Sequence, residues 1–213
     1  SITDPSAVLE DGGNISVSVT PTDMDVGASL TVSVSTNNGS LFSAGTITIS
    51  PETGNSGVER TITLDPSDNQ NGTALVTVSV SDGSGSVSQQ FTATVTAVND
   101  IPTITSTYDS TATEDAAYSY TITASDVDGD ALTYSAPVSP SWLSFNTDSH
   151  VLSGTPTNDN VGVHSVTLRV NDGTVDVDQS FTVTVANTND TPVLASITDP
   201  SAVLEDGGNI SVS

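Results

Sequence analysis

Apolar and polar residues alternate along most of this chain, in short runs that turn-forming residues separate. Residues 91–95 read Phe-Thr-Ala-Thr-Val, and residues 181–185 read Phe-Thr-Val-Thr-Val. A period of two puts alternate side chains on opposite faces of a strand, so each run predicts a strand with one buried face. Val and Ile alternating with Thr and Ser can fill the thin core of a β-sandwich. This regularity disfavours the alternative of a disordered Ser/Thr-rich stalk.

Two proline-containing joints interrupt the pattern at corresponding places. Residues 98–102 read Val-Asn-Asp-Ile-Pro, and residues 187–192 read Asn-Thr-Asn-Asp-Thr-Pro. Proline cannot donate to a strand ladder and keeps the residue before it extended, so each joint is short and stiff. About seven short strands precede the first joint, which is typical of an immunoglobulin-like sandwich, and the order of features repeats before the second joint. We therefore predict an all-β chain of two tandem Greek-key β-sandwiches, residues 1–101 and 102–192, with residues 193–213 beginning a third.

The pattern also predicts several local features. Residues 2–9 are expected to form an edge strand that leads into the first sandwich. Gly54 and Asn55 are expected to form a turn between two strands. Trp142, the only tryptophan, is expected to fill the core of the second sandwich.

A long exact repeat links the two ends of the chain. Residues 1–18 read SITDPSAVLEDGGNISVS, and residues 196–213 read the same, at an offset of 195 residues. Identity at a fixed offset is the signature of an array, here made of whole domains. The sequence therefore predicts adjacent copies of one two-domain unit that follow each other head to tail. The alternative is that the leading segment was duplicated by design.

Charge narrows the choice of partners. The net charge is −24, with Arg60 and Arg169 as the only fixed positive charges and no lysine. Such a chain repels nucleic acid and anionic membrane surfaces, and it attracts cations. No apolar run approaches the roughly 20 residues of a membrane span, so we expect no membrane insertion. The chain has no cysteine, which excludes disulfides and thiolate metal sites.

Acidic residues gather in loops that a sandwich would bring to one end. Asp126, Asp128 and Asp130 alternate in one loop, without the glutamate and flanking helices of an EF-hand. In a sandwich this loop lies beside the hairpin turn that holds Asp172, and Asn99 and Asp100 of the joint should meet both. Two carboxylates about 4 Å apart repel by roughly 4 kcal/mol at an effective dielectric of 20. An all-oxygen ligand set favours calcium, although Asp-Gly pairs also serve as ordinary turns.

The two halves resemble known domain families. The first half is similar to the cadherin-like domains of large bacterial repeats-in-toxin surface adhesins, through LEDGG, TPTDMD, RTITLDPSDNQNGTALVTVSVSDG and FTATVTAVNDIP. The second resembles the dystroglycan-type cadherin-like domain, through TEDAAYSYTITASDVDGDALTY, WLSFN, LSGTPTNDNVG, VTLRVNDG and FTVTVANTNDTP. The resemblance implies immunoglobulin/cadherin-like sandwiches that bind Ca²⁺ between consecutive domains.

The resemblance also implies ligand sets for the joints. At the first joint the expected set is Glu10, Asp11, Asp65, Asp68, Asn99, Asp100, Asp126, Asp128, Asp130 and Asp172. At the second joint it is Glu114, Asp115, Asn189 and Asp190. At a joint with a preceding copy it is Asp23, Asp25 and Asp82. The D-R-E segment of cadherins is missing: Asp65 and Asp68 replace it loosely and Asp159 more weakly, which leaves the number of ions per joint open.

No motif in the sequence indicates an enzyme. His150 and His164 are isolated, and the paired carboxylates lack an aromatic sugar platform. We predict a structural repeat of a secreted or cell-surface adhesin or filament, with calcium at its joints. The alternatives are a glycan- or protein-binding module and an accessory domain of a secreted hydrolase.

Overall fold

The computed structural model describes residues 2–25 and 27–196. The predicted start of a third domain therefore lies mostly outside the described residues. The chain divides into two compact units. The first comprises residues 1–104, 124–133 and 170–177, and the second comprises residues 105–123, 134–169 and 178–213. The loop at 124–133 and the hairpin turn at 170–177 thus belong to the first unit.

The regular structure is almost entirely β, as the alternating pattern predicts. The strands are β1 (Val8–Leu9), β2 (Ile15–Val19), β3 (Ser29–Thr36), β4 (Ile47–Ser50), β5 (Thr53–Asn55), β6 (Arg60–Leu64), β7 (Gly72–Ser81), β8 (Ser86–Thr96), β9 (Thr103–Ile104), β10 (Thr111–Thr113), β11 (Tyr118–Thr121), β12 (Ala124–Ser125), β13 (Thr133–Val138), β14 (Ser144–Asn146), β15 (Val151–Gly154), β16 (Gly162–Asn171) and β17 (Asp176–Ala186). One 3₁₀ turn, Asn158–Asn160, precedes β16. Among the described residues, no helix has the length and apolar character needed to cross a membrane.

Two sheets form the first unit's sandwich. One has five strands in the order β1-β8-β7-β3-β5, and the other has three in the order β2-β6-β4. Strand β1 pairs parallel with β8, and β2 pairs antiparallel with β6. Alternate positions of these strands face the core, which contains Val32, Phe42, Ile62, Val76 and Phe91 among its buried residues. The strand pair β9 and β12 also belongs to this unit.

The second unit repeats this plan for the most part. Its sheets have the orders β10-β17-β16-β13 and β11-β15-β14, and β10 again pairs parallel with β17. Leu152, Leu168 and Val183 are fully buried. Phe181 stacks on Tyr108 with ring centroids 4.1 Å apart and meets Tyr120 edge-on at 5.9 Å. The fold class is therefore an immunoglobulin/cadherin-like β-sandwich, as predicted.

Several local expectations need correction. The leading strand is only β1, because pairing with β8 begins at Val8. Gly54 and Asn55 do not form a turn but lie in β5, opposite Leu30 and Ser29. A Cβ at Gly54 would lie 2.9 Å from the guanidinium of the buried Arg60. Glycine is therefore needed here because it leaves space for the arginine side chain.

Trp142 differs in part from the expected core residue. Its side chain is half-buried, and the neighbouring Leu143 is the buried one. The indole meets the rings of Tyr118 and His164 edge-on, at centroid distances of 6.0 and 5.8 Å. Trp142 therefore packs within an aromatic group instead of plugging the core alone.

Gly154→Ala is expected to destabilise the second unit. A Cβ at Gly154 would collide with the carbonyl oxygen of Trp142, and such overpacking typically costs about 1–3 kcal/mol. Thermal unfolding followed by tryptophan fluorescence will measure the loss. Gly45→Ala is the matched control, because nothing lies within 4 Å of a Cβ there. Equal melting temperatures for the two variants would contradict the close packing of β15 against residue 142.

Candidate metal centre

A buried glutamate fixes the chain where it leaves the last strand of the first sandwich. Glu10 is 2% exposed, and its backbone N–H donates to the Thr96 carbonyl oxygen at 3.0 Å. Its carboxylate accepts from the backbone N–H of Val98 at 2.7 Å and from the Asn71 side chain at 3.2 Å. Because both carboxylate oxygens are engaged, Glu10 sets the path of the following residues, Asn99 and Asp100.

Those two residues contact the loops that the sequence analysis grouped with them. The backbone N–H of Asp100 donates to Oδ2 of Asp128 at 2.7 Å. The Asn99 side chain donates to Oδ2 of Asp172 at 2.9 Å. The other oxygen of Asp172 accepts from the backbone N–H groups of Thr174 and Val175, at 2.7 and 2.6 Å. Asp172 is therefore held by the hairpin turn and points one oxygen at the exit segment, residues 98–102.

The loop between β12 and β13 supplies the densest group of carboxylates. Asp126, Asp128 and Asp130 each offer an oxygen, and the three oxygens lie within 4.8 Å of one another. Oδ1 of Asp126 accepts from the backbone N–H of Asp130 at 3.2 Å. Oδ2 of Asp126 is buried and has no hydrogen-bond partner among the described residues. A buried carboxylate oxygen without a donor is costly, and a cation is one kind of partner that would satisfy it.

Asn69 contacts both Asp11, in the turn that follows β1, and Asp100 of the exit segment. Its backbone N–H donates to Oδ1 of Asp11 at 3.1 Å. With its carboxamide nitrogen facing the two carboxylates, Asn69 also donates to Oδ2 of Asp11 at 3.3 Å and to Oδ2 of Asp100 at 3.1 Å. Asp11 and Asn69 both have positive φ angles, 52° and 54°, a conformation that Asp and Asn tolerate better than most residues. We call Glu10, Asp11, Asn69, Asn99, Asp100, Asp126, Asp128, Asp130 and Asp172 the acidic cluster.

The carboxylates of the cluster affect one another's ionisation. Desolvation raises the pKa of Asp100, and the carboxylates of Asp128, Asp11, Glu10 and Asp126 raise it further. The pKa of Asp172 is lowered instead, first by the hydrogen bond from Asn99 and then by the N–H groups of the hairpin turn. Asp100 therefore lies where negative charges repel, while Asp172 keeps its charge through donors.

A second set of the same design lies in the second unit. Glu114 is 2% exposed, its N–H donates to the Ala186 carbonyl at 3.0 Å, and its Oε1 accepts from the N–H of Thr188 at 2.6 Å. Its Oε2 is buried without a partner among the described residues. The Asn158 side chain contacts the carboxylate of Asp190. Asn158 thus contacts Asp190 as Asn69 contacts Asp100.

The remaining residues of this second set lie close by in the chain. The N–H of Asp115 donates to the Pro156 carbonyl at 2.8 Å, and Asp115 has a positive φ of 60°, near the 52° of Asp11. The Asn189 side chain donates to the Asp190 carbonyl at 3.2 Å, the same bond that Asn99 makes to Asp100 at 3.0 Å. Each predicted residue of this set therefore has a counterpart in the acidic cluster.

Asp23, Asp25 and Asp82 form a third set, in the first unit. Asp23 and Asp82 line a small cleft of about 140 Å³. Oδ1 of Asp82 accepts from the N–H groups of Ser84 and Gly85 at 2.7 and 2.6 Å, and these bonds lower the pKa of Asp82. Oδ1 of Asp23 accepts from the N–H of Asp25 at 2.8 Å. Asp82 is therefore held in its turn as Asp172 is.

Three asparagines contribute to these sets although the pattern of acidic residues in the loops does not predict them. Asn69 and Asn158 donate hydrogen bonds to Asp100 and Asp190, and Asn71 donates one to Glu10. In the described part of the chain, the side chains of Asp65, Asp68 and Asp159 make no hydrogen bond to these groups. The role of those three aspartates stays a prediction. The signal that could have found the asparagines is their position between Pro66 or Pro156 and the positive-φ glycines Gly72 and Gly162.

Comparisons with known proteins agree with this fold. A family model described as "Putative Ig domain" matches residues 101–186. The chain is similar to Drosophila N-cadherin EC1-4, with 19% identity, a TM-score of 0.50, and coverage of 88% of this chain and 47% of that one. It is also similar to mouse clustered PcdhgC3 EC1-3, with 15% identity, a TM-score of 0.43, and coverage of 87% and 66%.

An enzyme structure is among the matches as well. An endo-fucoidan hydrolase from glycoside hydrolase family 107 is 22% identical with a TM-score of 0.35, over 88% of this chain but only 29% of the hydrolase. The chain thus spans less than a third of that enzyme's length. No curated protein matches the sequence. The two pairs of sheets, together with the family model over residues 101–186, define a protein of immunoglobulin/cadherin-like β-sandwich domains.

Asp100→Asn is expected to stabilise the protein in chelator at neutral pH. The raised pKa of Asp100 means that its charged form weakens folding, and this penalty disappears as the pH falls through that pKa. The gain in melting temperature should therefore vanish below the ordinary carboxyl range of about 4. Asp148→Asn, which removes a charge from an exposed position outside the cluster, is the control. A destabilised Asp100→Asn variant in chelator would contradict the crowding.

Proposed function

We propose that this chain is a structural repeat of an extracellular surface adhesin or filament, and that calcium at the acidic cluster stiffens it. One observation carries the proposal: Asp100, of the exit segment, is hydrogen-bonded to Asp128 of the loop whose three carboxylates lie within 4.8 Å of one another. Desolvation and then the neighbouring carboxylates raise the pKa of Asp100. A protein gains nothing from gathering repelling charges at one point unless a cation balances them. The cadherin-like fold supports the same reading.

The residues present fit calcium better than other metals. Every side chain of the cluster that could bind a metal offers a carboxylate or a carboxamide oxygen. Oxygen ligands in flexible loops suit calcium. The chain has no cysteine, and the cluster contains no histidine. The buried, unpartnered Oδ2 of Asp126 supplies an oxygen that nothing else satisfies in the described structure. When bound, calcium supplies the positive charge that cancels the repulsion.

The chain's own residues explain how such a site would stiffen the exit segment. Glu10 holds the backbone at Val98, and Asp128 and Asp172 hold Asp100 and Asn99. Without a cation, these hydrogen bonds hold the exit segment near the loops while the repulsion between the carboxylates pushes the same groups apart. With the charge balanced, bonds and electrostatics act in the same direction, and residues 98–102 lose freedom. A stiff exit segment is what an extender repeat requires.

The other two sets extend the proposal to adjacent copies of the repeat. We call Glu10, Asp11, Asn69, Asn99 and Asp100 the exit half of the cluster, and Asp126, Asp128, Asp130 and Asp172 the loop half. The exit half is reproduced by Glu114, Asp115, Asn158, Asn189 and Asp190. The loop half corresponds to Asp23, Asp25 and Asp82, since Asp82 accepts hydrogen bonds from its hairpin turn as Asp172 does. With the 195-residue repeat, the exit half of one copy would meet the loop half of the next. The partner of each copy is then the following copy, head to tail. Millimolar extracellular calcium would fill even weak sites.

Calcium is expected to raise the melting temperature and to slow hydrogen exchange at the amides of residues 98–102. A ligand that binds only the folded state stabilises it by about 2.7 kcal/mol at 100 times its Kd. Asp128→Ala combined with Asp172→Ala should abolish both effects at the acidic cluster. The measurements are calorimetry and amide exchange, each in calcium and in chelator.

The matched control removes two charges elsewhere. Glu52→Ala combined with Asp148→Ala changes exposed positions outside the cluster and should leave the calcium response intact. Magnesium at the same concentration should stabilise less, because it demands a stricter geometry. If chelator changes neither melting nor exchange, the acidic loops are turns only and the calcium proposal fails.

A further inference from the structure

The sequence of residues 1–18 occurs a second time at residues 196–213. We call these the leading segment and the repeated segment. Most of the repeated segment lies outside the described residues, but the contacts of the leading segment show what this sequence binds. Its Val8 and Leu9 lie opposite Val95 and Thr96 of β8. Its residues from Ile15 onward pair with β6, where Ile15 lies opposite Leu64.

The leading segment contributes buried side chains to the core of the first unit. Ile15 is 2% exposed and Val17 is 8% exposed, and both belong to the core of the first unit. Glu10 lies between the two strands and satisfies the backbone N–H of Val98 and the side chain of Asn71. An identical sequence can make the same contacts, with Ile210 in the place of Ile15 and Glu205 in that of Glu10.

The leading segment is also attached in a way that permits replacement. Strand β1 is at one edge of the five-stranded sheet, and β2 is at one edge of the three-stranded sheet. Removing both therefore exposes two sheet edges without breaking any pairing between the other strands. An open groove of about 720 Å³ runs beside the same segment, lined by Ile2, Pro5, Val19, Val80 and Val87 among others. The segment is thus less tightly enclosed than the centre of the core.

We propose that the repeated segment of one copy takes the place of the leading segment in the first unit of a second copy. The exchange forms again the pairs of Val8, Leu9 and Ile15–Ser18 that it breaks, so its free energy is set mainly by the protein concentration. A covalently linked segment has an effective concentration in the millimolar range, so the closed form dominates in dilute protein. Exchange links copies head to tail without a new interface. The proposal rests on the repeat and the edge strands, and it does not depend on calcium.

A disulfide trap tests this, because the chain has no cysteine of its own. Ser16 lies opposite Thr63, so Ser211→Cys and Thr63→Cys can cross-link only where the repeated segment occupies the β2 position. Residues opposite each other across antiparallel strands have Cβ atoms about 4.5–5.5 Å apart, near the span of a disulfide. Ser16→Cys with Thr63→Cys in one chain calibrates the trap. All samples contain chelator, so the outcome is separate from calcium binding.

The trap is placed in a chain that also carries Ile15→Asp. An aspartate at this buried position weakens the leading segment's hold by about tenfold or more. We expect a ladder of covalent dimers and longer species on a non-reducing gel, at least about tenfold above the same chain with Ile210→Asp added. Ile210→Asp is the matched control, since it makes the same change at the same place in the repeated sequence.

The remaining outcomes overturn the proposal. A ladder that Ile210→Asp does not reduce would show random cross-linking. A cross-linked monomer would show that the repeated segment fills the first unit of its own chain. Absence of any cross-link, with a positive calibration, would show that the repeated segment does not bind there. The trap without Ile15→Asp, at high protein concentration, repeats the test on a chain whose first unit folds normally, and it should give the same ladder more slowly.

Discussion

A buried glutamate fixes the direction in which the chain leaves the last strand of each sandwich, and the rest of the site depends on it. Glu10 binds the carbonyl of Thr96 through its N–H and the N–H of Val98 through its carboxylate. Glu114 does the same with Ala186 and Thr188. In both units the parallel pairing of a leading strand with the last strand brings the glutamate to this point. Hydrogen bonds to a buried carboxylate are strong, so the exit geometry is well defined.

The exit geometry then decides where charge accumulates. Once Val98 is held, Asn99 reaches Asp172 and Asp100 reaches Asp128. The same placement puts Asp100 among repelling carboxylates, and the protein keeps Asp172 charged through donors instead of through a cationic side chain. Arg169 does pair with a carboxylate, but that partner is Asp178 of the neighbouring strand. The chain has two fixed positive charges and neither belongs to the acidic cluster, so the cation that we propose there would come from solution.

The sequence predicted the fold class and the strong strands because a period of two is a local signal. Residues 91–95 and 181–185 both lie in strands, with alternate residues buried. Short strands such as β5, β10 and β14 were missed, since three residues carry no clear period and their pairing is long-range. Gly54 was interpreted as a turn residue because its real cause, the approach of buried Arg60, is a tertiary contact.

The candidate site was predictable to the extent that carboxylates identify it. The loop order of a sandwich predicted that Asn99 and Asp100 lie near Asp126, Asp128 and Asp172. In the structure, Asn99 donates to Asp172, Asp100 donates to Asp128, and Asp126 lies beside Asp128. The carboxamides of Asn69, Asn71 and Asn158 were not predictable in this way. Asparagine in a loop is usually turn chemistry, and only the folded path shows that these side chains hold carboxylates in place.

Exact repetition and edge strands together place a physical constraint on any array built from this chain. Neighbouring copies with identical leading segments compete for the same sheet edges, because no contact distinguishes one copy of the sequence from another. Only linkage favours the correct pairing, through the higher local concentration of the segment that is already attached. Divergent repeats would avoid this competition through side-chain mismatch. A homogeneous repeat must instead rely on short connections, such as the one that joins the end of β2 at Val19 to the start of β3 at Ser29.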